Sequence, residues 1–284
     1  MGHLSWSQRP IDTPSDGDRP VMVVAFEGWN DAGDAATGAV EHLWEHWSAT
    51  TFASIDPEEF YDFTSARPHV RIDEDLRRVI DWPADEFGWA QPPGTSGVVL
   101  LRGVEPQLKW RTFCAEVLEV ATELRCRMVI TLGALLADVA HTRPTPVFGT
   151  SNDQVVLDAL GLERSGYEGP TGIVGVLQAE CARAGIDSAS LWAAVPSYVP
   201  AAPSPKAALA LVERTVAVLG TSVPTTVLEI GAVSYERQLS ELIEEDDGTE
   251  EYVQRLEEQH DADRGAVHSA DDLVEEVERF LREQ

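Results

Sequence analysis

PVMVVAF (20–26) is a continuous apolar run of strand length, rich in β-branched residues and without alternation. A strand with one wet face alternates, so an unbroken run predicts a strand buried on both faces, within a parallel sheet covered by helices. GVVLLRG (97–103), RMVITLG (127–133) and SLWAAVP (190–196) repeat the pattern. Between them the apolar period becomes that of a helix. Residues 31–47 place Ala36, Val40, Leu43, Trp44 and Trp47 on one stripe, and residues 107–125 do the same with Trp110, Phe113, Val117, Leu118 and Leu124. Ser151 and Gln154 have capping-box spacing before VVLDAL, and Ser204 with Pro205 supplies an N-cap and an N1 proline before KAALALVERTVAVL. Strands alternating with helices predict right-handed βαβ crossovers, and so an α/β three-layer sandwich with a largely parallel sheet.

The 284 residues are 43% apolar and 25% charged, the balance of an ordered chain. Acids outnumber bases 49 to 21, a net charge of −28 that repels phosphate and argues against nucleic acid or an anionic membrane as partner. No apolar run reaches the ~20 residues that span a bilayer. The first twenty residues, MGHLSWSQRPIDTPSDGDRP, lack a signal-like apolar core; residues 1–19 read as a flexible N-terminal arm and the protein as cytoplasmic. Cys114, Cys126 and Cys181 show no CxxC spacing, which agrees with a reducing compartment. On a continuous helix Cys114 and Cys126 stand roughly 18 Å apart, too far to bridge.

Composition shifts near the end. Residues 236–284 carry 18 acidic and 5 basic residues. Leu239, Leu242 and Ile243, then Tyr252, Val253 and Leu256, then Leu273, Val274, Val277, Phe280 and Leu281 recur at helical spacing. Asp-Asp-Gly (246–248) and Asp-Arg-Gly (263–265) interrupt them. An acidic helical C-terminal appendage is expected, either folded back on the 20–235 α/β domain or making a subunit contact.

Two loops carry candidate chemistry. EGWNDAGDAATGA (27–39) follows the first buried strand, where Gly28 and Gly33 let backbone amides approach an anion. The alternative is that Asp31 caps the next helix and the glycines permit a tight turn. In LGALLADVAHTRPTPVFGTSND (132–153), Asp138, His141 and Arg143 cluster beyond a buried strand. As a ligand site, Arg143 clamps a carboxylate or phosphate, His141 does acid–base work and Asp138 orients it. As structure, the same three form a hydrogen-bond network pinning an irregular loop.

Gly28, Asp31, Gly33, Asp138, His141 and Arg143 are therefore the candidate ligand pocket. No catalytic residue, metal or cofactor is assigned. His-Leu-Trp-Glu-His (42–46) matches a metalloprotease HxxEH pattern, but its helix turns Leu43 and Trp47 inward. That leaves His42, Glu45 and His46 on or beside the solvent face, with no third ligand. There is no GxSxG elbow, and no cysteine has a neighbouring histidine.

EGWNDAGDAATGA, EPxxxW at 105–110, LGALLADVAHTRP (132–144), YEGPTGIVG (167–175) and SLWAAVPSYVPAAPSPKA (190–207) together resemble the actinobacterial branch of the proteasome assembly chaperone family, second-subunit type. The likeness spans about residues 20–235. It implies a fold like that of nucleoside phosphorylases and a homo-oligomer, with a trimer as the first expectation. It also implies a chaperone-like role, acting through protein surfaces on proteasome subunits. Relatives also carry the label of ATP-dependent carboxylate–amine ligase, which would make the two loops an enzyme or ligand site. Such ligases need a lysine in a glycine-rich phosphate clamp, and neither Lys109 nor Lys206 lies in one.

Overall fold

A computed structural model describes residues 2–10, 19–162 and 166–263. In chain order the elements are β1 Leu4–Trp6, β2 Val21–Glu27, α1 Ala35–His46, β3 Thr50–Ile55, β4 His69–Ile72, β5 Arg78–Asp81, β6 Asp85–Ala90 and β7 Val98–Val104. They continue with α2 Trp110–Glu123, β8 Met128–Ala137, β9 Val147–Thr150, α3 Gln154–Leu160, α4 Ile173–Ala184, β10 Asp187–Pro196, α5 Pro205–Leu219, α6 Thr226–Ile243 and α7 Asp247–Asp263.

Eight strands form one sheet in the order β1-β3-β6-β7-β2-β8-β10-β9. The four expected from unbroken apolar runs are its centre, and β7, β2, β8 and β10 are mutually parallel. Strand β2 shows why its sequence does not alternate. Val21, Val23 and Ala25 pack on one side with α1 and α5, while Met22, Val24 and Phe26 pack on the other with α2 and α4. Three layers result, with a core on each face of the sheet. The flanks are antiparallel: β1, β3 and β6 on one side and β9 on the other. β4 and β5 pair only with each other.

Four expectations change. Leu4–Trp6 of the expected arm is an edge strand, in register with Ala53–Ile55, because Leu4 and Trp6 add to the α2 and α4 core. The expected boundary at 235/236 falls inside α6. The buried stripe Ala232, Tyr235, Leu239 and Ile243 runs across it unbroken, so apolar period and not charge sets the element. Asp153, not Ser151, caps α3 by accepting from Val155 N at 2.7 Å; Ser151 is buried and donates to Ser188 O. His42 is buried rather than solvent-facing, its Nε2 donating to Pro224 O at 2.8 Å, while Glu45 and His46 are exposed.

Ser204 caps α5 as expected, accepting from Ala207 N at 3.2 Å. α6 and α7 are joined by the short turn at residues 244–246, beside the expected Asp-Asp-Gly breaker. Their inner faces make a third small core with Ala140, Tyr198 and Val199. Leu273, Val274, Val277, Phe280 and Leu281 of the expected appendage lie outside the described residues. Among the described residues no helix is long and apolar enough to cross a membrane.

Candidate functional site

The parallel strands β2, β7, β8 and β10 end at Glu27, Val104, Ala137 and Pro196 on one edge. Both candidate loops leave from that edge, so the fold brings them to one side of the molecule. Ligands bind α/β proteins here because loops diverge and helix N-termini converge.

The helix starts are already occupied. Asp31 Oδ1 accepts from Ala36 N at 2.6 Å and Thr37 N at 3.3 Å, and Oδ2 accepts from the Thr37 hydroxyl. Asp31 thereby takes the first amides of α1, as a cap from the preceding turn. Burial pushes its carboxyl up to about 6, against the hydrogen bonds that favour its charge. Gly28 and Gly33 both have positive φ, at 130° and 60°, and Gly33 O accepts from Ser204 N at 2.7 Å. The glycines serve the turn and the joint to the start of α5.

Glu105 performs the same task at α4. Its Oε1 accepts from Ile173 N at 2.8 Å and from Asn30 Nδ2 at 2.9 Å, tying the loops after β2 and β7 to the helix start. The EPxxxW stretch closes locally, since the Trp110 indole N–H donates to Pro106 O. In sequence, the only signal for the role of Glu105 is an acid at a strand's carboxyl end.

The second loop is clasped by the C-terminal helices. Asp138 Oδ1 accepts from Ser197 Oγ at 3.0 Å and Tyr252 Oη at 2.6 Å. Arg143 Nη2 and Nε each reach Asp261, at 2.7 and 2.9 Å, and Nη1 reaches Glu257 at 3.3 Å. Thr142 donates to Glu257 and Lys206 to His141 O; Lys206 also reaches Glu236 at 3.0 Å.

His141 is 3% exposed, and its hydrogen-bond roles can be assigned. Ser240 Oγ donates to Glu236 O, so it accepts from His141 Nε2–H at 3.0 Å. Tyr198 Oη accepts from His141 N, and its O–H donates to Nδ1 at 2.8 Å. A neutral Nε2–H imidazole satisfies every partner. Burial, aided by Lys206, holds the ring below its ordinary pKa. Asp138, His141 and Arg143 thus each hold partners on the loop after β10 or on α6 and α7, contacts that pin the loop.

One buried carboxyl at the same edge was not expected. Asp85 is wholly buried and packs against Gly103, next to the Glu86–Arg102 pair of the β6–β7 ladder. Tyr61 Oη touches both Asp85 Oδ2 and, at 2.7 Å, Val104 O. The Tyr61 hydroxyl is the donor to both oxygens, and its bond to Asp85 favours the charged carboxylate. Burial outweighs that bond, pushing the Asp85 carboxyl up to about 8. The three cysteines are buried, free thiols, pushed up to about 12 by burial, and so are not activated nucleophiles.

Comparisons with known proteins agree with this geometry. The family model described as "PAC2 family" matches residues 25–243. A crystal structure of a PAC2 family protein from Streptomyces avermitilis is 46% identical, with a TM-score of 0.78, over 82% of this chain and 99% of that one. A proteasome-assembly chaperone homologue from Mycobacterium tuberculosis is 47% identical, with a TM-score of 0.75 and the same coverage. An archaeal proteasome activator from Pyrococcus furiosus shares the fold, with a TM-score of 0.67 at 18% identity over 84% of this chain and 97% of its own. Comparison with curated proteins returns no match.

Proposed function

The chain belongs to the PAC2 family, and from that premise we propose that it is a non-catalytic, chaperone-like factor that acts on proteasome subunits through protein surfaces. One observation carries the reading. At the sheet edge where an anionic substrate would dock, Asp31 and Glu105 already fill the starts of α1 and α4, and Arg143 is committed to Asp261 and Glu257. Amides and guanidinium that hold internal carboxylates are not free to bind a phosphate without breaking the fold's own contacts. The working form is a homo-oligomer, three copies being the first arrangement to test, in the cytoplasm. The family resemblance and the likeness to the mycobacterial proteasome-assembly chaperone homologue support the choice of client.

Purification of the tagged full chain tests it. Proteasome α or β subunits should co-purify, and cells lacking the protein should accumulate unprocessed core particles. Normal maturation without co-purification overturns the proposal. Nucleotides and carboxylated or phosphorylated metabolites should leave the melting temperature unchanged. A clear rise abolished by Arg143→Ala would put a small-ligand site in its place.

A further inference from the structure

Two apolar surfaces have no cover among the described residues. The first is the β4–β5 hairpin, where Val70 lies opposite Ile80 and Ile72 opposite Arg78. Alternation puts these four side chains on one face. Val70, Ile72 and Ile80 are 54%, 57% and 54% exposed, and Leu76 at the tip 85%. A lone two-stranded ribbon is marginal in water, and an apolar face of this kind marks an interaction site. The root of the hairpin, at Phe63, packs on the α2 and α4 side of the sheet.

The second surface is on the other side. α6 packs on α5, its buried stripe inward, and turns Val227, Ile230 and Val233 outward at 67%, 66% and 71% exposure. Their spacing of three residues keeps them in one row.

We infer that these surfaces bind each other between copies: the hairpin of one protomer seats on the outer row of α6 of the next. The inference rests on the homo-oligomer reading above. Charge selects the pairing. Copies of a chain with net charge −28 repel over most of their surface. Residues 67–82 balance Arg67, Arg71, Arg77 and Arg78 against Asp73, Glu74, Asp75 and Asp81, and residues 221–235 carry only Glu229. Each surface therefore carries little net charge.

Arg78 lies on the apolar face of the hairpin with no ion pair among the described residues, and exposed Glu229 flanks the α6 row. A two-fold contact of hairpin with hairpin would bring two copies of Arg78 into one interface and leave α6 uncovered. A head-to-tail contact covers both surfaces in every copy of a closed ring and sets Arg78 against Glu229.

Light-scattering mass of the full chain, Ile80→Glu and Ile230→Glu tests the pairing. Both sites are exposed, and melting temperatures close to that of the unchanged chain verify folding. The unchanged chain should have a multi-copy mass and each variant a monomer mass. An equimolar mixture should then form dimers, since one intact hairpin still meets one intact α6. If either variant keeps the multi-copy mass, or the mixture stays monomeric, the pairing is wrong while the homo-oligomer stands. Loss of mass in Ile80→Glu alone would mean that the hairpin meets its own kind, and also refutes the inference. A monomeric unchanged chain overturns both.

Discussion

Asp85 is the residue whose environment departs furthest from what its sequence neighbours suggest. It stands in WPADEFGWA (82–90) among other acids, and nothing local marks it as buried. The antiparallel register of β6 on β7 does so by packing it against Gly103. A Cβ on Gly103 would lie 1.8 Å from Asp85 Oδ1, so only glycine fits there. A carboxyl raised from 3.8 to about 8 favours the native state fully below about pH 4, and that contribution fades as pH rises through about 8. Asp85→Asn keeps an acceptor for the Tyr61 hydroxyl without the ionisation. Its melting temperature should fall less than that of the unchanged chain between pH 6 and 9. An equal fall in both would show that Asp85 is ionised in the native state throughout that range. Tyr61→Phe leaves Val104 O and Asp85 without their partner and should cost about 1–3 kcal/mol in urea unfolding.

At the scale of elements, β2, β7, β8, β10, α1, α2 and α5 were legible because each follows a single period. β3 and β6 were not: TTFASI (50–55) and DEFGWA (85–90) are short, mixed and defined by partners distant in the chain. α6 was misdivided because charge changes where the apolar stripe does not. That stripe makes a prediction. Leu239→Ala removes a buried side chain from the small core under α6 and α7 and should cost about 2–4 kcal/mol if unfolding is cooperative. Proteolysis near residue 244 should speed up before the sandwich melts.

His141 sets the pH behaviour of the same contact. Its ring is held below the ordinary value, so stability is full above about pH 6.5 and is lost as pH falls through the lowered value. The Lys206 ammonium faces it from α5, Glu236 from α6 and Glu257 from α7, the carboxylates opposing the shift. Protection factors of the amides in α6 and α7, taken against the intrinsic exchange rate at each pH, should fall from pH 7 to pH 5, and less so in His141→Asn. An equal fall in both would place the sensitive group elsewhere. Asp31, His141 and the loops they occupy were legible as candidates in sequence. Whether their side chains faced a ligand or the chain itself was not: Asp31 turns onto amides five and six residues ahead, and the residues that clasp His141 and Arg143 lie 57 to 118 positions away.

For the whole molecule, a net charge of −28 on one folded chain is a standing cost of compaction. Raising ionic strength from 0.01 to 0.1 M shortens the screening length from about 30 to about 10 Å. The exposed ion pairs weakened by this contribute only ~0–1 kcal/mol each, so relief of repulsion dominates. The melting temperature should rise over that range, as read by calorimetry at pH 7. A fall would mean that the ion pairs outweigh the net charge.

The clasp of α7 on the loops after β8 and β10 has a consequence for biogenesis. Asp261 and Glu257 leave the ribosome well after Pro196, the end of the last central strand. At elongation rates of about 5–20 residues per second the sandwich can assemble seconds before its fastening arrives. During that interval Ala140, Tyr198 and Val199 face water in a nascent chain. A pause in translation across this stretch would lengthen the interval and expose the half-made protein to quality control.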